Sequence, residues 1–113
     1  MKKTELETFE NGKIIHLHGQ FTGGEETDEL EQLLAEIKDE GKDSVIVDFE
    51  DVSYLSSIVI GLIVRTKADF QKKSKSVIYC NLNRTLEDVL KMTKVWSVLD
   101  IAPDIETAKT MVK

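Results

Sequence analysis

The stretch Val45-Ile-Val-Asp-Phe-Glu-Asp-Val-Ser-Tyr-Leu-Ser-Ser-Ile-Val-Ile-Gly-Leu-Ile-Val64 constrains the fold more than any other part of the chain. It reads as a buried strand, a short turn and a helix opened by Ser56 and Ser57. Val45-Ile-Val47 is apolar without alternation, as a central strand covered on at least one face would be. The residues after the serines have two readings. Ile58, Val59, Ile60, Ile63 and Val64 are β-branched and would suit a strand. Gly61 also costs a helix about 1 kcal/mol relative to Ala. The helix is favoured because Thr66 to Lys73 continues it with Lys, Ala and Gln. A strand here would come too soon after the Val45 strand for a parallel crossover. An all-round apolar first turn then means that this end of the helix is buried or meets a partner. A hydroxyl at a helix start faces unpaired N–H groups and the positive end of the dipole. Ser56 or Ser57 therefore suits a cap, and equally a place where a phosphate could sit or be added.

The remaining pattern alternates strand and helix signals. Leu6 to Phe9 is a weak strand, and Asn11-Gly12 predicts a type I′ hairpin turn, whose central residues need positive φ. Lys13 to His18 returns as a strand, with Ile15 and Leu17 on one face and His16 and His18 on the other. Gly19 to Gly24 reads as a loop. Glu25 to Glu40 is a helix with Leu30, Leu33, Leu34 and Ile37 at helical spacing, ended by Gly41. Ser76 to Cys80 is a strand and Thr85 to Thr93 a third helix, with Leu86, Val89, Leu90 and Met92 as its apolar side. Val98 to Ile101 reads as a short edge strand, and Pro103 to Val112 as a last helix with Pro near its start. The expected fold is α/β: a mixed sheet of four or five strands, with about four helices packed mainly on one face.

A chain of 113 residues is about one domain. No apolar run reaches the roughly 18 residues that a membrane span needs. The N-terminus, Met1 to Glu7, lacks the apolar segment of a signal peptide, so a cytoplasmic protein is expected. The single cysteine, Cys80, fits a reducing compartment and ends an apolar run, as a buried inert thiol would. A net charge of −6 disfavours direct nucleic-acid binding and permits a protein partner with a basic surface. The first helix concentrates that charge, with Glu25, Glu26, Asp28, Glu29, Glu31, Glu36, Asp39 and Glu40. A solvated face accounts for it, and a docking surface is the other reading.

No Ser-His-Asp order, Walker loop or dinucleotide fingerprint is present, so neither an enzyme nor a cofactor is expected. His16 and His18, two apart on a strand, could present imidazoles to a metal, but the sequence offers no third ligand, and a pair of surface histidines is the expectation. Gly23-Gly24 lacks the lysine and spacing of a phosphate loop and reads as a hinge into the helix. Trp96 is core or rim, and if exposed would be an interface anchor.

The order of these features resembles a STAS domain of the anti-sigma factor antagonist type over nearly the whole chain, Thr4 to Val112, which is expected to form a single STAS domain at 1–113. The resemblance rests on the Gly19-Gln20-Phe21-Thr22 strand end, the apolar strand ending in Asp48, and the aromatic-apolar approach Val52-Ser-Tyr-Leu55. It continues in the serine-led helix Ser57 to Gly61 and in Leu90-Lys-Met-Thr-Lys-Val95. The family's usual motif is Asp-Ser-Ser/Thr-Gly-Leu-Gly. Matched residue by residue, Ser56 takes the Asp place, Ser57 the phosphorylated Ser, Ile58 the second hydroxyl, Val59 the first Gly and Gly61 the second. Thr22 takes the place of another Asp beside the serine. The resemblance implies a binding module that captures an anti-sigma factor of the GHKL serine-kinase type and so frees a sigma factor. Ser57 would be the phospho-acceptor, and Thr22, Ser56, Ile58 and Val59 the docking surface around it. Because Thr22 and Ser56 are not carboxylates, an unphosphorylated STAS scaffold, for instance a transporter-associated subunit, is the alternative.

Overall fold

The computed structural model describes residues 3–40 and 44–112. The expected end of the first helix at Gly41 lies outside them. The elements are β1 (Thr4–Phe9), β2 (Gly12–Phe21), α1 (Glu25–Glu40), β3 (Ser44–Leu55), α2 (Ser57–Lys72), β4 (Val77–Cys80), α3 (Arg84–Met92), a 3₁₀ turn (Trp96–Val98), β5 (Asp100–Ala102) and α4 (Ile105–Met111). They form a mixed sheet in the order β1-β2-β3-β4-β5. β1 pairs antiparallel with β2, and every later pair is parallel. This is the expected architecture, with all five strands formed.

The parallel strands explain the continuous apolar run at Val45–Val47, because the sheet is covered on both faces there. On one face Ile15, Leu17, Val45, Val47, Val77 and Tyr79 pack against Leu30, Leu34 and Ile37 of α1, the apolar side of α2, and Leu86 and Leu90 of α3. On the other face Ile14, Ile46, Ile78, Cys80 and Ala102 pack against Ala108 of α4. Tyr79 crosses the larger layer, and its hydroxyl donates to Ile63 O at 2.8 Å. The ends of α1 and β4 are joined by Lys75, whose Nζ donates to Lys38 O at 2.6 Å. That ammonium satisfies a carbonyl left over at the α1 C-terminus.

Several local expectations are corrected. The hairpin turn is Glu10–Asn11, and neither Asn11 nor Gly12 has positive φ, so it is not type I′. Gly12 is needed for a different reason: a Cβ there would run into the Ser44 carbonyl oxygen across the β2–β3 pair. No turn separates Asp48 from Ser56. β3 runs on through Leu55, with register shifts against β2 between His16 and His18 and between Gly19 and Gln20. Gly19 belongs to β2 at φ +87°, where the strand accommodates this irregularity, rather than to a loop. Ile58 to Val64 is helical, as argued from the helix formers beyond it. β5 begins at Asp100, because the Trp96–Val98 turn takes the residues before it. Pro103 stands outside α4, whose N-cap is Asp104.

Candidate functional site

Parallel pairing of β2 with β3 brings Phe21 opposite Leu55, and the Ser56 N–H donates to Phe21 O at 2.9 Å. The next residue on each strand, Thr22 and Ser56, therefore leaves the sheet at the same edge. Two loops, Thr22–Gly24 and Ser56, deliver the starts of α1 and α2 side by side. Gly23 has φ +94°, and a Cβ on it would meet the Ile58 side chain at 2.8 Å. The glycine lets the α1 approach close against the first turn of α2.

The two serines divide their work. Ser56 is the N-cap, in extended conformation, and its Oγ accepts from Val59 N–H at 3.4 Å. Ser57 is the first helical residue and is exposed. Among the described residues its hydroxyl has no hydrogen-bond partner. The first turn of α2 carries no acidic residue. An exposed, uncommitted hydroxyl thus stands at the positive end of a 16-residue helix whose charge is not offset locally.

Next to it Ile58 is 62% exposed, and Tyr54, three residues upstream near the end of β3, is 49% exposed. Thr22 is exposed too, but its hydroxyl is committed. Thr22 Oγ1 donates to Glu26 Oε1 at 2.7 Å and Thr22 N–H donates to the same oxygen at 2.6 Å. These bonds, the hydroxyl's first, hold the Glu26 carboxyl down at about 2. Val59 must be corrected as a docking residue. It is 0% exposed and faces the core, because residues at the second and third helical positions point in different directions around the turn. Ile58 takes the outward position and Val59 the inward one.

Sequence reasoning passed over Glu26 as anything but a dipole-compensating acid. Its spacing of four from Thr22, across a Gly-Gly hinge, was the available signal. Trp96 is neither bare nor fully enclosed: it packs against the larger core with Lys91 Nζ 5.1 Å from its ring centroid. Cys80 is buried, and burial first, then the Asp48 charge, pushes its thiol up to about 12, which leaves it unreactive. His16 and His18 each lie between carboxylates of neighbouring strands rather than facing solvent alone.

Comparison with known proteins covers the same span. A family model for the STAS domain matches residues 3–108. A crystal structure of a candidate anti-sigma factor antagonist from Thermotoga maritima superposes with a TM-score of 0.87 at 17% identity, covering 96% of this chain and 93% of that one. The anti-sigma factor antagonist SpoIIAA in its unphosphorylated form gives a TM-score of 0.74 at 18% identity, over 96% and 94% of the two chains. The Bacillus cell fate determinant SpoIIAA in the phosphorylated form gives 0.74 at 17% identity, over 96% and 98%.

Proposed function

The chain belongs to the STAS domain family, and from that premise we propose that it acts as an anti-sigma factor antagonist, a non-enzymatic cytoplasmic binding module switched by phosphorylation at Ser57. The observation that carries the reading is the exposed Ser57 hydroxyl with no partner among the described residues, at the first position of α2 and next to the exposed Ile58. The docking surface is Ser57, Ile58 and Tyr54, flanked by Thr22 and Ser56. Its partner is an anti-sigma factor of the GHKL serine-kinase type, which on binding releases its sigma factor.

The physics of the switch comes from the place of the serine. A phosphate on Ser57 adds about 1.5 to 2 negative charges. Inside this protein the charge is tolerated, because free N–H groups and the helix dipole face it. Across an interface built on Ile58 and Tyr54 it must be desolvated, which costs several kcal/mol per ion unless the partner pairs it. The same group is therefore benign to the fold and disruptive to the complex. That a structural neighbour, SpoIIAA, is known in both phosphorylated and unphosphorylated forms supports looking for this chemistry here.

A second reading, an unphosphorylated scaffold, draws on Thr22, whose hydroxyl is occupied by Glu26 and so offers a kinase no free carboxylate or hydroxyl. One experiment separates the two. The protein is incubated with an anti-sigma factor of the GHKL serine-kinase type and ATP, and the modified residue is located by mass spectrometry. The switch requires phosphate on Ser57 and its loss in Ser57→Ala. Tight binding that ATP does not reverse, with no modification, leaves the scaffold.

A further inference from the structure

His16 and His18 share one face of β2, opposite Leu17, and each ring is bracketed by two carboxylates from different strands. His16 Nδ1 lies 2.7 Å from Asp48 Oδ2 on β3, and its Nε2 lies 2.8 Å from Glu7 Oε1 on β1. His18 Nδ1 lies 2.8 Å from Asp51 Oδ2 on β3, and its Nε2 lies 2.9 Å from Glu5 Oε1 on β1. The β1 contacts are diagonal, since the backbone register sets Glu5 opposite His16 and Glu7 opposite Ile14. Two parallel rungs, Glu7–His16–Asp48 and Glu5–His18–Asp51, thus cross three strands.

A neutral imidazole has one N–H and one lone pair. It can donate to one of its two carboxylates, and its other nitrogen then faces an anionic oxygen, lone pair against lone pair. Only the imidazolium attracts both. His18 Nε2 is the clearest case: it is buried 2.9 Å from Glu5 Oε1 without an aligned hydrogen bond, a place that favours the charged ring. Asp48 does not supply the missing proton. Asp48 is buried, yet its Oδ1 accepts from Asn81 Nδ2 at 2.8 Å and from Glu50 N–H at 3.0 Å, which keeps it ionised. The nearby cations are engaged elsewhere. Lys3 lays its ammonium 3.3 Å from Gln20 O, and Lys109 of α4 sits 5.9 Å from the Phe9 ring.

Beyond its backbone ladder with β2 and the packing of Phe9, β1 buries little side-chain surface. Glu5 to Thr8 are exposed, and Leu6, its central apolar residue, is 50% exposed. On its helix side a groove of about 410 Å³, lined by Thr4, Leu6, Glu29, Gln32, Leu33 and Glu36, lies between the strand and α1. We propose that the two bracketed histidines fasten edge strand β1 to the sheet as a proton-dependent clasp, closed while the imidazoles are charged and opening as they lose the proton.

The direction of the titration agrees. For His16, burial works against the charge, but the hydrogen bonds to Glu7 and Asp48 and their charges outweigh it and raise the pKa. For His18, the Asp51 hydrogen bond raises it. A group whose pKa is raised on folding stabilises the fold fully below its unfolded value, about 6.5 for His, and loses that contribution as pH rises through the folded value. The clasp is therefore closed in mildly acidic solution and opens on the alkaline side of about 6.5.

The test is amide hydrogen exchange on the intact protein between about pH 5.5 and 8.5, bracketing the ordinary His pKa, with rates normalised to the intrinsic pH dependence of exchange. Protection of the β1 amides is expected to fall across that range, by about tenfold per histidine for each unit by which its pKa is raised. β3 and β4 are expected to hold. His16→Gln/His18→Gln, which cannot take up a proton, should abolish the fall. If that variant does not fold, Glu5→Gln/Glu7→Gln removes only exposed carboxylates and should lower both histidine pKa values in an NMR titration. Flat β1 protection in the wild type, an unchanged slope in either double variant, or an equal fall in β4 would overturn the proposal.

Discussion

Ser56 and Ser57 are neighbours of one chemistry, and the structure assigns them opposite consequences. Ser56 Oγ is the acceptor for Val59 N–H, at 3.4 Å, beyond the usual length for such a bond. Removing an N-cap hydroxyl costs about 0.5–2 kcal/mol, and the long contact puts Ser56→Ala at the lower end, about 0.5–1 kcal/mol. Ser57 Oγ bonds to nothing among the described residues and faces water, so Ser57→Ala stays within about 0.5 kcal/mol of wild type. Ser57→Asp adds a negative charge to a first turn that has none, which stabilises a helix by about 0.3–1 kcal/mol. For a domain of this size, 1 kcal/mol moves Tm by about 3–6 °C. Urea titrations followed by circular dichroism are expected to rank Ser57→Asp above wild type and Ser57→Ala, and those above Ser56→Ala, with unchanged m values. Binding to the anti-sigma partner, measured by calorimetry, is expected to run the other way for Ser57→Asp, weakening at least about tenfold, or 1.4 kcal/mol. The opposed signs matter, because a variant that merely unfolds would lose both. Equal destabilisation by the two alanine variants would refute the cap assignment, and a less stable Ser57→Asp would refute the open helix end.

Four more outcomes are expected. Ile58→Ser removes an exposed side chain, so partner affinity should fall by about 1 kcal/mol or more while the urea midpoint hardly moves; a matching stability loss would mean that Ile58 is structural. Gly61→Ala meets nothing within 4 Å and should stabilise α2 by about 0.5–1 kcal/mol, whereas Gly12→Ala drives a Cβ into the Ser44 carbonyl and should cost at least about 1–3 kcal/mol, both read from unfolding midpoints. The Glu26 carboxyl, ordinarily near 4.5 and held at about 2 by Thr22, stabilises the fold above 4.5 and loses that contribution as pH falls toward 2; Glu26→Gln should flatten this limb of the stability–pH curve, and an unchanged limb would locate the acid sensitivity elsewhere.

The sequence showed elements better than it showed edges. The strand at Val45–Val47 and the α2 helix were legible because one is a continuous apolar run and the other leads into helix formers. From sequence β3 reads too short, since Asp48, Glu50 and Asp51 look like a turn. Those acids are there because Asp48 and Asp51 pair with His16 and His18, a partnership 32 and 33 residues away that no local pattern reveals. Asn11-Gly12 misled for a similar reason. Its glycine answers a close approach by β3, not the torsions of the turn. At the candidate site, motif matching located the loop and the exposed serine. It could not separate Ile58 from Val59, because which of two adjacent apolar residues faces water depends on the angle at which α2 docks. Nor could it foresee that Thr22 would hold a carboxylate supplied by Glu26.

The strand order has a bearing on how the chain is made. Each strand lies beside its immediate predecessor in sequence, so the sheet order is simply β1-β2-β3-β4-β5. No strand has to be threaded between two that are already paired. As the polypeptide emerges from the ribosome, each new segment can dock on a finished margin, and assembly proceeds as vectorial growth rather than waiting for the far terminus. During synthesis the most recent strand is a bare template until the next arrives. The short β4, with its unbroken Val-Ile-Tyr-Cys, is the most apolar such margin, and β5, α3 and α4 cover it. A chain truncated after Cys80 and released from the ribosome is therefore expected to need a chaperone, where one released after Met111 is not.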